Sequence, residues 1–536
     1  DNELCLSCHD GRVARYSTPG ACLLVAAPSG DIDEEFNPCT PDSPNLLTTD
    51  RQGANGFNVN TFTNDLADYA WGREGFSGTS AATPQIAGLA ALILAVNTNL
   101  SYRDVQHLMI HSARHFDFAD PDLRTNRAGF AFSHNLGFGV PEAGLAVALA
   151  RNWPSRPPLT TVTYAATNSV AIPDQGLRVL VQGQSVPSNL LSLVALPGLG
   201  PFPEEPTASV PLVDVGTTTN GISVDLSGRA ALIQRGGNFF CEKLALAAAA
   251  RAALAIVYNN RDADLRIVMG ASEFAPMPSV FLSQNDGEAL QQYLLGDPTA
   301  RVQFALQTTN YVFAVKETLI CEHVGVRIDT DHNRRGDLRI VLTSPGGIRS
   351  ILQNVNNDDA PGPIDWTYYS TQHFYESSAG SWTVSISDLD SKGTGRVKNL
   401  SLIITGVMIE DADTDGLDDS WERSHFGLLG FGPQDDPDRD GYINAREQIM
   451  GANPALADVP FQLDLSLWND RLVRLSWPSS AKATYEIRTG SEAIKLLNLA
   501  TNIPGRFHET EWFTPFTNLV HEFFRVQGSV TEPAGR

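Results

Sequence analysis

The spacing of apolar residues changes along the chain, and a helical spacing dominates the segment after Ser80. Apolar side chains recur there at intervals of three, four and seven residues, which predicts an amphipathic helix. These residues are Ile86, Leu89, Ala90 and Ile93. Gly78 and Thr79 precede Ser80 and predict a tight turn and a helix N-cap.

Strand-type patterns dominate further along the chain. Residues 382–387 alternate between apolar and polar, as a half-buried strand does. Residues 337–342 form an apolar run that ends in a turn cluster. Alternating runs return at 473–477 and 485–488, which predicts a small C-terminal β-sandwich over residues 456–536.

A mixed pattern separates these regions. Residues 223–260 follow the order strand, loop, Ala-rich helix and strand, which is typical of an α/β module. The Pro-rich residues 153–158 predict a linker after the helical region. The patterns therefore predict a multidomain protein, with a helical part first, then an α/β module and then β-sandwiches.

Length and charge limit the possible functions. At roughly 100–200 residues per domain, 536 residues correspond to about three to five domains. The 61 acidic residues outnumber the 38 basic residues, and the net charge of −23 argues against nucleic acid as a partner. No run approaches the ~20 apolar residues of a membrane span, because the best candidate, residues 86–96, is too short.

The N-terminus lacks the basic and apolar regions of a signal peptide. Either the protein is cytosolic, or the true start of the protein lies upstream of Asp1. The motifs described next favour an upstream start.

Ser80 has a useful chemical position in the predicted helix. A serine at a helix start lies beside free backbone N–H groups and the positive end of the helix dipole, which suits a nucleophile whose oxyanion must be stabilised. The small residues around Ser80 keep its hydroxyl accessible. From these features alone, a capping serine on a buried helix explains the position equally well.

The amino-acid sequence of this segment favours the interpretation of Ser80 as a nucleophile. Residues 78–88 read Gly-Thr-Ser-Ala-Ala-Thr-Pro-Gln-Ile-Ala-Gly, which resembles the serine signature of subtilisin-like proteases. The segments 99–108, 133–140 and 148–153 resemble the kexin/furin branch of that family. The resemblance implies that residues 1–155 are the C-terminal part of an α/β catalytic domain.

The resemblance also implies a mechanism. In this family a Ser attacks the peptide bond, a His activates it, an Asp orients the His, and an Asn helps to form the oxyanion hole. Ser80 matches the nucleophile, but no upstream residue matches the surroundings of the Asp, His or Asn. His107 and His111 follow the serine and are interpreted as structural. We therefore expect the three missing residues upstream of Asp1, and we expect this chain to be inactive alone.

Two further modules are indicated by resemblance. Residues 335–338, 381–382 and 399–400 resemble the P domain that follows kexin-type catalytic domains, a jelly-roll-like β-sandwich. The α/β pattern, with its Arg-Gly-Gly loop at 235–237, is similar to the protease-associated domain of secreted peptidases.

The order of these segments predicts an insertion. Residues 168–175 resemble the first strand of a P domain, and residues 318–328 resemble its next strands. We therefore expect a P domain split into residues 162–185 and 313–407, with the protease-associated domain at 186–312 inserted between them. Insertions into loops cost little conformational free energy, which makes this arrangement possible.

Residues 436–447 follow the pattern of an EF-hand calcium loop. Carboxylates stand at positions 1, 3, 5 and 12, an amide stands at position 9, and the glycine at position 6 permits the sharp turn. The predicted Ca²⁺ ligands are Asp436, Asp438, Asp440, the Tyr442 carbonyl, Asn444 and Glu447.

Residues 411–422 have the same plan. Position 8 is Asp418 rather than an apolar residue, which argues against pairing as a regular EF-hand. The repeats at 408–455 resemble dockerin or thrombospondin type 3 repeats, and they are expected to act as a stiffened linker; a solvated acidic linker is the alternative. The predicted ligands of this first loop are Asp411, Asp413, Asp415, the Leu417 carbonyl, Asp419 and Glu422.

The cysteines give little information about the function of the chain. Cys5 and Cys8 followed by His9 have the spelling of a c-type haem attachment site, but only four residues precede Cys5, so a chance match or a local disulfide is the favoured interpretation. Cys22 and Cys39 are spaced to close a short loop.

Together these features predict a secreted or cell-surface, calcium-dependent serine endopeptidase that acts on proteins or peptides. The expected partner is the N-terminal half of its catalytic domain. A non-catalytic extracellular binding protein built from protease-derived modules is the alternative.

Overall fold

The computed structural model describes most of the chain. The described residues are 5–8, 12–14, 16–31, 45–52, 55–56, 58, 69–72, 75–117, 120–166, 168–269, 275–390, 393–456, 463–469, 472–479, 483–490, 497–504, 508–515 and 523–530. His9 and Cys39 lie outside them, and so do the side chains of Cys5 and Cys8. Cys22 is a free cysteine, so it does not form the short loop that its spacing from Cys39 allows.

The N-terminal unit (residues 5–153) holds three helices. They are α1 (Thr79–Val96), α2 (Tyr102–Ser112) and α3 (Ala143–Ala150). Short strands surround them: β1 (Cys5–Cys8), β2 (Ala26–Ser29), β3 (Asn45–Thr49), β4 (Tyr69–Gly72), β5 (Ala113–Arg114), β6 (Arg124–Thr125), β7 (Ala131–Phe132) and β8 (Val140–Pro141). β1 and β2 pair in parallel, and α3 packs against both other helices.

Helix α1 follows the predicted periodicity, since Ile86, Leu89 and Ile93 are buried. It begins at Thr79, and its N-cap is Gly78 rather than the expected Thr79. By length and composition, α1 is the one described helix that could cross a membrane, although core helices of soluble proteins share these properties. A membrane span therefore does not follow from α1.

The two-sheet unit (residues 160–171 and 309–408) combines strands from two separate stretches of chain. One sheet has the order β10-β25-β20-β23, with β9 also paired to β25, and the other has the order β19-β24-β21-β22. Side chains from both sheets share one hydrophobic core. The strands are β9 (Thr160–Ala166), β10 (Val170–Ala171), β19 (Thr309–Val315), β20 (Leu319–Thr330), β21 (Leu338–Thr343), β22 (Arg349–Gln353), β23 (Trp366–Ser370), β24 (Gly380–Asp388) and β25 (Arg396–Met408).

The α/β unit (residues 177–306) is built on an eight-stranded sheet with the order β12-β11-β18-β14-β15-β16-β17-β13. Its strands β14 to β17 run parallel, and β15 to β17 are largely buried, as strands covered on both faces are. The elements are β11 (Leu177–Gln182), β12 (Ser192–Val194), β13 (Leu196–Pro197), β14 (Val210–Gly216), β15 (Ala230–Gln234), α4 (Phe240–Ala249), β16 (Leu254–Tyr258), β17 (Ser279–Leu282), α5 (Gln284–Gly296) and β18 (Arg301–Leu306).

The strand pairings differ from the expected boundaries. β11 pairs with β18 of the α/β unit, although residues up to 185 were expected in the sandwich. β19 already pairs with β24, although the sandwich was expected to resume at 313. Both junctions therefore lie closer to the short connections at 172–176 and 307–308, where the chain passes directly from one sheet into the other.

The acidic segment (residues 409–456) contains helices α6 (Asp419–Phe426) and α7 (Asn444–Met450). The C-terminal unit (residues 463–530) has two three-stranded sheets, β26-β27-β30 and β29-β28-β31. These strands are β26 (Asp464–Asn469), β27 (Leu472–Ser479), β28 (Ala483–Gly490), β29 (Leu497–Pro504), β30 (His508–Pro515) and β31 (Phe523–Val530).

The hydrophobic core of the N-terminal unit includes side chains from far along the chain. Ile320, Phe374 and Val407 of the two-sheet unit belong to it, as does Ile449 of α7. The N-terminal unit, the two-sheet unit and the acidic segment therefore form one packed body.

Candidate active site and calcium loops

Ser80 is the second residue of α1, and its side chain is exposed. The turn before it has backbone angles that favour glycine, because Gly78 has φ 87° and ψ 176°. Within the part of the chain that the structure describes, no hydrogen bond to Ser80 Oγ is found. An exposed hydroxyl in the first turn of an 18-residue helix can approach a substrate carbonyl.

The turn at Ser80 is fastened to the rest of the N-terminal unit. The Gly78 N–H donates to the Tyr16 hydroxyl at 3.0 Å, and Ser29 Oγ donates to the Gly78 carbonyl at 3.3 Å. Tyr16 and Ser29 are themselves hydrogen-bonded at 2.8 Å. The sequence analysis did not find these two residues, because nothing in the local pattern connects them to Ser80.

The histidines on α2 do not lie free for catalysis. His107 is buried, with its Nδ1 at 2.6 Å from the Tyr375 hydroxyl and its Nε2 at 3.2 Å from Glu322. His111 is buried against Phe130 and Trp153. Burial lowers the pKa of both imidazoles. Both contribute to the contact between α2 and the two-sheet unit.

That contact is centred on Glu322 in β20. Arg103 donates to it from Nε at 2.7 Å and from Nη2 at 2.5 Å, and the Arg156 guanidinium lies 3.8 Å away. Burial alone would raise the pKa of Glu322, but hydrogen bonds from Arg103 and His107 hold it at about 2. The carboxylate is thus ionised in the folded protein, where it neutralises Arg103 and also attracts Arg156.

The two acidic loops have the same backbone conformation at positions 4 and 6. Position 4 is in the left-handed region in both, with φ 64° at Thr414 and at Arg439. The glycine at position 6 has φ 98° in the first loop and φ 96° in the second. The position 1 carboxylate accepts the N–H of that glycine at 3.2 Å in each loop. This turn points the following side chains back toward the first acid.

The turn gathers carboxylates in both loops. Ligand-type oxygens lie within 4.8 Å of one another in each of three groups. These groups are Asp411, Asp413 and Asp419; Asp413, Asp415 and Glu422; and Asp436, Asp438 and Asp440. In the second loop, Asn444 and Glu447 are fully buried on α7, and the Tyr442 N–H donates to Asp440 at 2.8 Å.

The electrostatics of the loops suit a divalent cation. Glu422 is fully buried, and its Oε2 has no hydrogen-bond partner among the described residues. Burial, followed by the charges of Asp415 and Asp413, raises the pKa of Glu422 to about 7. Burial and the neighbouring Asp440 and Asp438 raise the pKa of Asp436 to about 7 as well. A bound cation would offset both effects, so the residues present fit Ca²⁺.

Comparison with known proteins gives three family matches. Residues 7–139 match the subtilase family, residues 205–290 match the PA domain, and residues 321–404 match the proprotein convertase P-domain. The curated homologues are furin/kexin-like proprotein convertases. The predicted resemblance is therefore confirmed, and the chain is a multidomain, sheet-rich protein with segments that match these three family models.

The homologues are distant and much longer. The chain is 25% identical over 341 residues to human proprotein convertase subtilisin/kexin type 6, covering 62% of this chain and 23% of that protein. It is 24% identical over 344 residues to mouse furin, covering 64% of this chain and 28% of furin. The chain therefore spans about a quarter of the length of these relatives.

A shorter sequence match and a match to a solved structure are also found. Neuroendocrine convertase 2 of Drosophila melanogaster is 39% identical over 120 residues, which is 22% of this chain and 18% of that protein. The crystal structure of a serine protease of Aeromonas sobria matches with a TM-score of 0.41 and 18% identity, covering 75% of this chain and 57% of that chain.

Proposed function

We propose that Ser80 is the nucleophile of a kexin-like serine endopeptidase. The observation that carries this proposal is the exposed Ser80 hydroxyl on a fastened helix start, inside the segment that matches the subtilase family. The subtilase match and the convertase homologues support a protease.

The residues of this chain would act at two atoms. Ser80 Oγ attacks the carbonyl carbon of the scissile peptide bond while a base removes its proton, and the backbone N–H of Ser80 lies in the helix turn that can stabilise the oxyanion. The amine then leaves with that proton, and water hydrolyses the acyl ester on Ser80.

The base comes from elsewhere in this proposal. His107 and His111 are engaged in the buried contact with the two-sheet unit, so the catalytic Asp and His and the oxyanion Asn are supplied by sequence upstream of Asp1. Helix α1 has exposed apolar side chains at Leu92, Leu94 and Val96. Leu92 and Val96 lie one turn apart on the same side of α1 and provide a face against which such a partner segment can pack.

A fluorophosphonate probe tests the nucleophile. Residues 1–536 should label slowly, because an unassisted serine hydroxyl is a poor nucleophile at neutral pH. The same chain extended by its upstream coding sequence should label rapidly at Ser80, and the matched Ser80→Ala variant should not. Rapid labelling of residues 1–536 at Ser80 would disprove the upstream base, and an unlabelled extended chain would disprove the nucleophile.

A non-catalytic extracellular binding protein remains the second candidate, supported by the burial of both α2 histidines. Sequencing the gene upstream of Asp1 separates the two functions. Motifs with the Asp, His and Asn support the protease, whereas a stop codon or an unrelated domain supports the binding protein.

The proposed cofactor is Ca²⁺ in both acidic loops. Asp411, Asp413, Asp415, Asp419 and Glu422 would hold one ion with the Leu417 carbonyl. The second ion would be held by Asp436, Asp438, Asp440, Asn444 and Glu447 with the Tyr442 carbonyl. Bound Ca²⁺ would neutralise gathered carboxylates and fix the two turns.

Calorimetric titration tests these sites. Two Ca²⁺ ions should bind the wild-type chain, and one should be lost in Asp440→Asn. The matched variant Asp225→Asn changes an exposed aspartate of the α/β unit and should bind both ions. Wild-type protein that binds no Ca²⁺ at millimolar concentration would refute the cofactor.

We also propose an assignment for each unit, and the family matches support the first three. We assign the N-terminal unit to the C-terminal part of the catalytic domain, the two-sheet unit to a jelly-roll-like P domain, and the α/β unit to an inserted PA domain. The C-terminal unit is a small sandwich. Protein or peptide substrates and a secreted or cell-surface location complete the proposal, since the homologues are proprotein convertases.

A further inference from the structure

The two acidic loops form one body. Leu417 of the first loop and Ile443 of the second are buried in a shared small core with Ala445. The Asp418 N–H donates to Gln448 Oε1 on α7 at 2.6 Å. The polar Asp418 at position 8 was expected to prevent pairing, but its side chain caps α6 instead while its backbone joins the loops. A change in one loop therefore reaches the other.

Helix α7 of the second loop is docked on the N-terminal unit. Arg446 Nη2 donates to the carbonyl of His111, the penultimate residue of α2, at 3.1 Å. Arg156 Nη1 donates to the Ile449 carbonyl at 2.8 Å. Ile449 itself lies in the core of the N-terminal unit. The acidic segment thus packs on the N-terminal unit, a contact that its expected role as a stiffened linker does not include.

Arg446 is the centre of this contact. It is fully buried, and its guanidinium lies 3.6 Å from the centre of the Tyr442 ring. Among the described residues, its Nε and Nη1 have no hydrogen-bond partner. Burial lowers the pKa of Arg446 to about 10. A buried charge with so few hydrogen bonds is costly, so its position depends on whatever fixes α7.

We propose that Ca²⁺ bound by the two loops acts as a clasp that secures α2 of the N-terminal unit against the two-sheet unit. This inference rests on the proposed calcium sites. Asn444 and Glu447, the ligands at positions 9 and 12, lie in the first turn of α7 on either side of Arg446. Ligation therefore fixes the start of the helix that carries the arginine.

Removal of Ca²⁺ should release the start of α7. The gathered carboxylates of each loop then repel one another, and α7 has only seven residues, too few for a helix to persist without tertiary support. When α7 loosens, Arg446 leaves the His111 carbonyl. His107, about one turn before His111 on the same helix, makes the contact with Tyr375 and Glu322, so the junction of the two units loosens with it.

Hydrogen–deuterium exchange measures both steps in the whole chain. Peptides covering 411–422 and 436–447 report Ca²⁺ binding, and peptides covering α2 report the clasp. Calcium should slow exchange in both loops and should slow exchange in α2 at least tenfold. In Arg446→Met the loops should still respond, while the α2 response should fall to less than threefold. Arg327→Met removes an exposed arginine of β20 and should behave as wild type.

The outcomes separate the two proposals. Loops that do not respond to Ca²⁺ would refute the calcium sites and the clasp together. Loops that respond while α2 exchange stays unchanged would refute the clasp alone. The wild-type measurement decides this point even if Arg446→Met fails to fold, and an α2 response that persists in a folded Arg446→Met would show that Arg446 is not the connection.

Discussion

At the scale of single residues, Glu322 and Gly78 are expected to contribute more to the stability of the fold than their neighbours do. Glu322 neutralises Arg103 and interacts with Arg156 in a buried junction, and its own side chain is 1% exposed. Gly78 holds the turn before Ser80 in a backbone conformation with φ 87°. One position acts through charge and the other through backbone freedom, so different substitutions test them.

Replacing Glu322 with glutamine should destabilise the chain by about 3 kcal/mol, because two arginines would remain in the junction without their carboxylate. Calorimetric unfolding measures this loss. Asp225→Asn is the control, since the Arg251–Asp225 pair is exposed and should be worth less than about 1 kcal/mol. Equal losses in the two variants would contradict the special role of Glu322.

Gly78→Ala should cost about 1–3 kcal/mol, because alanine rarely adopts the backbone angles of this turn. The added Cβ would meet no atom closer than 3.9 Å, so the cost is conformational rather than steric. Gly88→Ala lies in the same helix with open space and should stabilise the chain by about 0.5–1 kcal/mol. If the two substitutions changed the free energy of unfolding in the same direction relative to wild type, this account would be disproved.

At the scale of elements, the α/β unit is clamped to the two-sheet unit. Arg339 of β21 is buried, donates to Glu204 at 2.5 and 3.1 Å, and lies 4.0 Å from the centre of the Phe202 ring. Leu389 and Val355 of the two-sheet unit also pack on the core of the α/β unit. The inserted unit is therefore held at a fixed place.

Neighbouring glutamates make this clamp testable. Glu204→Ala leaves Arg339 buried without its partner and should cost about 3 kcal/mol. Glu205→Ala removes an exposed carboxylate that pairs with Arg349 at 3.2 Å and should cost less than about 1 kcal/mol. Thermal unfolding with proteolysis of the 200–206 loop compares the two. Similar behaviour of both variants would contradict a clamp at Arg339.

The elements show how far the sequence leads. Periodicity predicted the buried face of α1 and the strand at 382–387, which lies within β24, because each depends on neighbouring residues only. The acidic loops were predicted from ligand spacing, and their glycines adopt the expected turn. The docking of α7 on α2 was missed, because residues 111 and 446 are related only by the complete fold.

At the scale of the whole molecule, buried histidines make stability depend on pH. His115 is 7% exposed, and burial lowers its pKa to about 4, below the usual 6.5. The unfolded chain therefore binds a proton more readily than the folded chain between these values. Stability is greatest above pH 6.5 and falls as the pH decreases toward 4.

His115 alone should account for up to about 3 kcal/mol over that range. Melting temperatures of wild type and His115→Gln between pH 7.5 and 4.5 measure this contribution. The wild-type melting temperature should fall more steeply with decreasing pH, while His107 and His111 leave a residual slope in the variant. Parallel curves would show that His115 is protonated equally in both states.

The shared core of the N-terminal unit has a consequence for biosynthesis. Its first helix is complete at residue 96, but its core also requires Ile320, Phe374, Val407 and Ile449. At roughly 5–20 residues per second, the ribosome needs about 18–70 s to pass from residue 96 to residue 449. During that time the apolar side of the nascent helices is not covered by the residues that pack on it in the folded protein. We therefore expect a chaperone to bind the N-terminal unit while the chain is being synthesised.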